Sequence, residues 1–168
     1  MGNDPPDHRF TALYRAECRR VLRFVTRRVD RQNAAEDIAA EVFQIAWDKM
    51  VHGTEPSSGW LFVTARNLVS NYRRSQQRGE DAYRRAAAGS STGSVSPDVA
   101  DRVSDTLARL PEAQRDILIY RYWDDLDISE IAALAEVSAS AVWVRLHRAR
   151  QAFKRLFIDS KEAGYAHR

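Results

Sequence analysis

A chain of 168 residues, 44% apolar and 29% charged, has enough hydrophobic side chain for a packed core and too much for a disordered protein. Seven Gly and five Pro exclude a collagenous chain, and a single cysteine, Cys18, excludes an intramolecular disulfide and a Cys-based metal site. The net charge is only +3, no apolar run nears the roughly 20 residues that span a bilayer, and the opening MGNDPPDHRF lacks a hydrophobic signal segment. A cytosolic protein without membrane insertion is therefore expected.

Strand signals are sparse, and the apolar spacing predicts an all-α chain. Phe10, Leu13, Tyr14, Val21, Leu22, Val25 and Val29 recur at helical spacing across residues 8–29. A second helix is expected over about 34–50, capped by Asn33, with Ile38, Val42, Ile45 and Ala46 on one side and Asp37 and Glu41 on another. HGTEPSSG, residues 52–59, is a loop by composition. A third helix is expected from about Ser58 to Gln77. The stretch 79–97, rich in Ala, Gly and Ser, reads as a flexible linker with room for a short helix near Tyr83–Ala88. Four more helices are predicted beyond it. They are a helix over 98–109, one that starts at Pro111, a short one capped near Ser129, and a long one over about 139–157 capped by Ser138. The expectation is two small helical domains, 8–78 and 98–157, joined by the linker.

Charge is distributed in blocks. Residues 36–48 hold Glu36, Asp37, Glu41 and Asp48 and no base, whereas 61–79 hold Arg66, Arg73, Arg74 and Arg78 and no acid. Residues 98–136 hold ten acids against four bases, and 139–157 hold Arg145, Arg148, Arg150, Lys154 and Arg155 with no acid. Such alternation implies separate faces for a cationic and an anionic partner.

The stretch ISEIAALAEVSASAVWVRLHRARQAF, residues 128–153, has the pattern of a helix-turn-helix. A helix of about seven residues ends at Ala135. Glu136, Val137 and Ser138 make the turn, and a helix that begins Ala139-Ser140-Ala141 turns strongly basic. Ile131, Ala132, Val137, Val142 and Leu146 fall where two steeply crossing helices bury small or branched side chains. In this geometry the second helix enters the major groove, and its first-turn amides near Ser138 lie beside a phosphate. An ordinary helical corner explains the apolar pattern equally well; the acid-free last helix favours DNA.

From Leu110-Pro111 through Gln114-Arg115, Glu130-Ile131-Ala132 and Arg145-Leu146-His147-Arg148-Ala149-Arg150, the C-terminal half resembles region 4 of the extracytoplasmic-function sigma factors of bacterial RNA polymerase. The N-terminal half resembles region 2 of the same family. Ala35-Glu36-Asp37-Ile38, Glu41-Val42-Phe43 and Ala46-Trp47 are similar to its polymerase-binding helix. Trp60-Leu61, Ala65-Arg66-Asn67-Leu68 and Tyr72-Arg73-Arg74 are similar to the segment that opens and holds the −10 element.

The resemblance implies a factor that binds core polymerase and directs promoter opening, with an anti-sigma protein as a further expected partner and no cofactor, metal or catalytic residue of its own. It implies polymerase contacts at Asp37, Glu41, Phe43 and Trp47; the two aromatics, one turn apart, either face outward to polymerase or belong to the unit's own core. The melted −10 strand would meet His52, Thr54, Ser57 and Ser58 in the loop, with Trp60 or Phe62 stacking, and Arg66, Asn67, Asn71, Arg73, Arg74 and Arg78 on the helix. The duplex −35 element would meet Ser138, Ser140, Ala141, Trp143, Val144, Arg145, Arg148 and Arg150.

Three positions depart from the family's usual residues: Ala40 for Gln, Asn71 for Asp, and Trp143 for a basic or small polar residue. Trp143 packs either on a thymine methyl or sugar, or into the domain's own core. A helix-turn-helix regulator that never binds polymerase explains residues 128–157 but leaves the N-terminal matches without a role. An enzyme fits poorly, because His8, His52, His147 and His167 have no metal-ligand spacing and no phosphate loop or nucleophile motif is present. Asp124, Asp125 and Asp127 lack the further spacing of a calcium loop and read as a solvated acidic turn or an edge that meets polymerase.

Overall fold

The computed structural model describes residues 5–84 and 99–165, with side chains for 5–78 and 99–159. Helices are the regular elements throughout the described residues: α1 Pro6–Thr26, α2 Gln32–Val51, α3 Ser58–Arg84, α4 Val99–Ala108, α5 Glu112–Tyr122, α6 Ile128–Ala135 and α7 Ala139–Tyr165. They cluster into two compact units that divide between Gly89 and Ser90. Most of the expected linker, with residues 85–88 of the possible short helix, lies outside the described residues.

The first unit is a three-helix bundle. Pro6 opens α1 at a position where its missing N–H costs nothing. Helix α2 buries Ala35, Ile38, Ala39, Val42, Phe43, Ala46 and Met50, a stripe with steps of three and four or their neighbours. Fully buried Ala35, Ala46 and Ala65 let the three helices approach closely. Val21, Phe24 and Val25 from α1 and Leu61, Phe62 and Val69 from α3 complete the core. The Phe24 and Phe62 rings meet edge to face at 5.4 Å.

In the second unit, α4, α5 and α6 all pack on α7. The core is Leu107, Leu110, Ile117, Leu118, Leu126, Ile131, Leu134, Val142, Leu146 and Ala149. Helix α6 opens with a complete capping box. Asp127 accepts the Glu130 amide at 2.8 Å, and the Glu130 carboxylate accepts the Asp127 amide at 2.9 Å. Asp127→Ala should therefore lower stability by about 1 kcal/mol in chemical denaturation. Asp127→Asn should lose much less, since its amide oxygen can accept the same bond; equal losses would contradict the capping role.

Several boundaries differ from the sequence expectation for identifiable reasons. Arg31, not Asn33, holds the N-cap position of α2, and Gln32 inside the helix donates to Glu36 at 2.9 Å. Asp127, not Ser129, caps α6; the Ser129 hydroxyl donates back to the cap carboxylate at 2.7 Å. Pro111 sits at the cap of α5, where its carbonyl accepts the Gln114 and Arg115 amides. Helix α3 runs to Arg84, into the stretch expected as linker. Helix α7 runs past residue 157, where Phe153 and Phe157 stack at 5.6 Å and the Arg102 guanidinium lies 4.8 Å from the Phe157 ring centre.

Candidate nucleic-acid and partner interfaces

Burial of one α2 face fixes what the opposite face shows. Asp37 and Glu41 are exposed one turn apart, and neither forms an ion pair or hydrogen bond among the described residues. Gln44 and Asp48 are exposed and continue the stripe at steps of three and four. Asp48 belongs to this acidic face by spacing, although the resemblance does not single it out.

Of the two readings of the aromatic pair, outward or core, burial favours the core. Phe43 is 4% exposed, in edge contact with Tyr14 at 4.9 Å and Phe10 at 6.5 Å. Trp47 is half-buried against Phe10 at 5.2 Å. Both close the seam between α1 and α2, because a three-helix unit this small needs its large rings to fill the seam. Phe43 is thereby corrected from an interface residue to a core residue.

The loop between α2 and α3 is pinned at both ends. Gly53 has φ +82°, a left-handed conformation that glycine adopts without strain. His52 Nδ1 lies 2.6 Å from the Asp48 carbonyl, which requires the proton on Nδ1, and the Thr54 amide donates to the Lys49 carbonyl at 2.9 Å. The Ser57 hydroxyl caps α3 by accepting the Trp60 amide at 3.2 Å, and Ser58 Oγ accepts from Arg20 at 3.3 Å. Ser57 and Ser58 thus hold the loop, while the His52 and Thr54 side chains stay exposed. Phe62 is fully buried and cannot stack on a base. Trp60 is half-buried, with the Lys49 ammonium 5.3 Å from its ring centre.

On α3, Asn67, Asn71, Arg74 and Arg78 form an exposed stripe at steps of four, three and four, opposite the buried Leu61, Ala65 and Val69. Asn71, Arg74, Gln77 and Arg78 line a shallow open concavity, and the Arg74 guanidinium donates to the Asn71 side chain. Arg66 and Arg73 lie on the adjoining flank, where Arg73 Nε donates to the Arg28 carbonyl at 3.0 Å. The basic block therefore splits into an outer stripe and a flank tied to the end of α1.

In the second unit α6 ends at Glu136, whose φ of 54° reverses the chain in the left-handed region. Ser138 then caps α7: its hydroxyl accepts the Ala141 amide at 3.2 Å and lies 3.0 Å from Ser140 Oγ. Val142, Leu146 and Ala149 are fully buried against the unit, which fixes the rotation of α7. Ser140, Trp143, Val144, Arg145, His147 and Arg148 are consequently exposed, while Ala141 is half-buried. Trp143 is 56% exposed, so it is not part of the domain's core. Arg145 and Arg148 make no hydrogen bond or ion pair among the described residues. Arg150 is different: its Nε donates to the Tyr122 hydroxyl at 2.6 Å, which braces the guanidinium against α5.

This order of units matches known proteins. Residues 13–79 match the model of sigma-70 region 2, and residues 100–153 match that of sigma-70 region 4. The chain belongs to the extracytoplasmic-function sigma factors. It is 25% identical over 144 residues to the ECF RNA polymerase sigma factor SigW of Bacillus subtilis, covering 74% of this chain and 76% of SigW. It is 28% identical over 157 residues to SigL of Mycobacterium tuberculosis, covering 85% of each. Among solved structures, CnrH in complex with the cytosolic domain of CnrY aligns with a TM-score of 0.57 at 22% identity, covering 90% of this chain and 88% of CnrH. The sigma factor RpoE in complex with the anti-sigma factor NepR from Bartonella quintana aligns with a TM-score of 0.55 at 19% identity, covering 88% and 95%.

In this sigma factor no helix of the described residues is long and apolar enough to cross a membrane. No cluster of His, Cys, Asp or Glu among those residues is placed to hold a metal ion. The bracing of Arg150 by Tyr122 was not legible in the sequence, because the two residues lie 28 positions apart.

Proposed function

We propose that the acidic face of α2, Asp37, Glu41 and Asp48, docks on a basic surface of core RNA polymerase, while the two other exposed faces take promoter DNA. The α3 stripe of Asn67, Asn71, Arg74 and Arg78, with His52, Thr54 and Trp60 at its head, receives the melted −10 strand. Arginines supply a salt-sensitive attraction to phosphates, and the half-buried indole offers a stacking edge to an unpaired base. Arg66 and Arg73 add positive charge from the flank.

Helix α7 enters the duplex −35 element, with Ser138 and Ser140 at its start and Arg145 and Arg148 toward the grooves. The factor works in the cytoplasm as a non-enzymatic subunit, the phosphodiester chemistry belonging to polymerase. An anti-sigma protein that competes for the acidic or basic faces is a fitting regulator, as the complex of RpoE with the anti-sigma factor NepR suggests by analogy of fold.

The observation that carries this reading is the charge separation between helices whose rotations are fixed by burial. Run-off transcription with bacterial core polymerase and genomic fragments tests it: discrete transcripts are expected only when the chain is added. Arg148→Ala should reduce promoter affinity by about 1–3 kcal/mol where the residue reads a guanine. A uniform loss on all duplex sequences would assign Arg148 to phosphate instead.

A further inference from the structure

The outer face of α7 carries an apolar pair that neither the fold nor its basic neighbours use. Trp143 is 56% exposed and Val144 49% exposed, in the second turn of the helix. They cannot turn inward, because Val142 and Leu146 on either side of them in sequence are fully buried and hold the helix in place. Small residues precede them: Ala139, Ser140 and Ala141 leave the first turn narrow. The early residues of a recognition helix are those that reach base edges.

The surroundings restrict the occupant. Arg145 and Arg148 are exposed beside the pair, and residues 139–157 contain no acid, so the covering partner is anionic. An anionic duplex shows one apolar group on its major-groove edge, the C5-methyl of thymine. The face of an exposed indole and an exposed isopropyl group are both complementary to such methyls; against a polar base edge the isopropyl group has nothing to offer and the indole has only its N–H, a donor to guanine.

We propose that Trp143 and Val144 read pyrimidine C5-methyl groups in the duplex held by α7, so that upstream-element preference in this sigma factor depends on thymine methyls. The proposal rests on the placement of α7 in the major groove given above.

The test uses the full chain assembled with bacterial core polymerase. A pool of random-sequence duplexes is selected for binding, and the selected duplex is remade with uracil at each thymine of the upstream element in turn. Uracil keeps every hydrogen-bonding group and lacks only the methyl. At one or two positions the exchange should weaken binding about fourfold, the value of one buried methyl. 5-Methylcytosine tested at neighbouring cytosines should strengthen binding where it comes within reach of the pair. In Trp143→Ala the thymine and uracil duplexes should bind alike, while Arg148→Ala should weaken both and keep the difference between them.

Equal binding of thymine and uracil duplexes at every position, with Arg148→Ala still weakening both, would overturn methyl reading and leave the placement of α7 intact. A loss in Trp143→Ala that is the same for both duplexes would assign the indole to a sugar and would also overturn it. Binding insensitive to the upstream sequence and to Arg148→Ala would overturn the placement of α7 itself, and methyl reading with it.

Discussion

Replacing Asp37 and Glu41 together with lysine is expected to weaken binding of core RNA polymerase by on the order of 100-fold, because it sets like charges against a basic surface. Both carboxylates are exposed on one face of α2 and have no partner among the described residues, so the exchange breaks nothing inside the unit. The stripe opposite Ala35, Val42 and Ala46 keeps its rotation, and circular dichroism should be unchanged. Double replacement by alanine should cost much less, since an exposed ion pair contributes about 1 kcal/mol or less. Titration of labelled core enzyme with each variant separates these outcomes. Unchanged affinity for the lysine variant would move the polymerase contact to another face.

The second large effect is on stability. Phe62 is fully buried, meets Phe24 edge to face, and has the Arg20 guanidinium 5.1 Å from its ring centre. Phe62→Ala should cost about 3–5 kcal/mol, from lost burial and the cavity left behind. A small domain is stable by only about 5–15 kcal/mol, so much of the first unit's reserve would go. Hydrogen exchange should then show lost protection in α1, α2 and α3, with α5, α6 and α7 keeping theirs. Equal loss in both units would show that they fold as one.

Helices with one continuous buried stripe were legible in the sequence, and α2 illustrates why. Its apolar positions repeat at three and four residues, and the burial of that stripe leaves Asp37 and Glu41 nowhere to point but outward. Capped turns were also readable where the cap is local: Ser138 holds α7 as its position predicts. Caps failed where several candidates adjoin, as at Asp127 and Ser129, because the reciprocal bond with Glu130 decides between them.

Side chains whose role depends on distant partners were not legible. Phe43 looks like a surface anchor beside Trp47 until Tyr14 and Phe10 of α1 are seen to close over it. Ser58 reads as a base-contacting hydroxyl until its Oγ is found accepting from Arg20, 38 positions away. Trp143 is the opposite case, since its sequence position allowed both core and surface, and burial of Val142 and Leu146 turns it outward.

This chain is expected to supply recognition, and core polymerase most of the work of opening. The outer α3 stripe has two exposed arginines, Arg74 and Arg78, with Arg66 and Arg73 on its flank, and unstacking DNA costs about 1.4 kcal/mol for each base step. So few charges beside one short loop cannot offset several such steps. Permanganate footprinting of a promoter duplex, with the chain alone and with core polymerase added, tests this directly. Thymines of the −10 element should stay unreactive with the chain alone and become reactive when core enzyme is present. Reactive thymines with the chain alone would show that the chain opens DNA without polymerase.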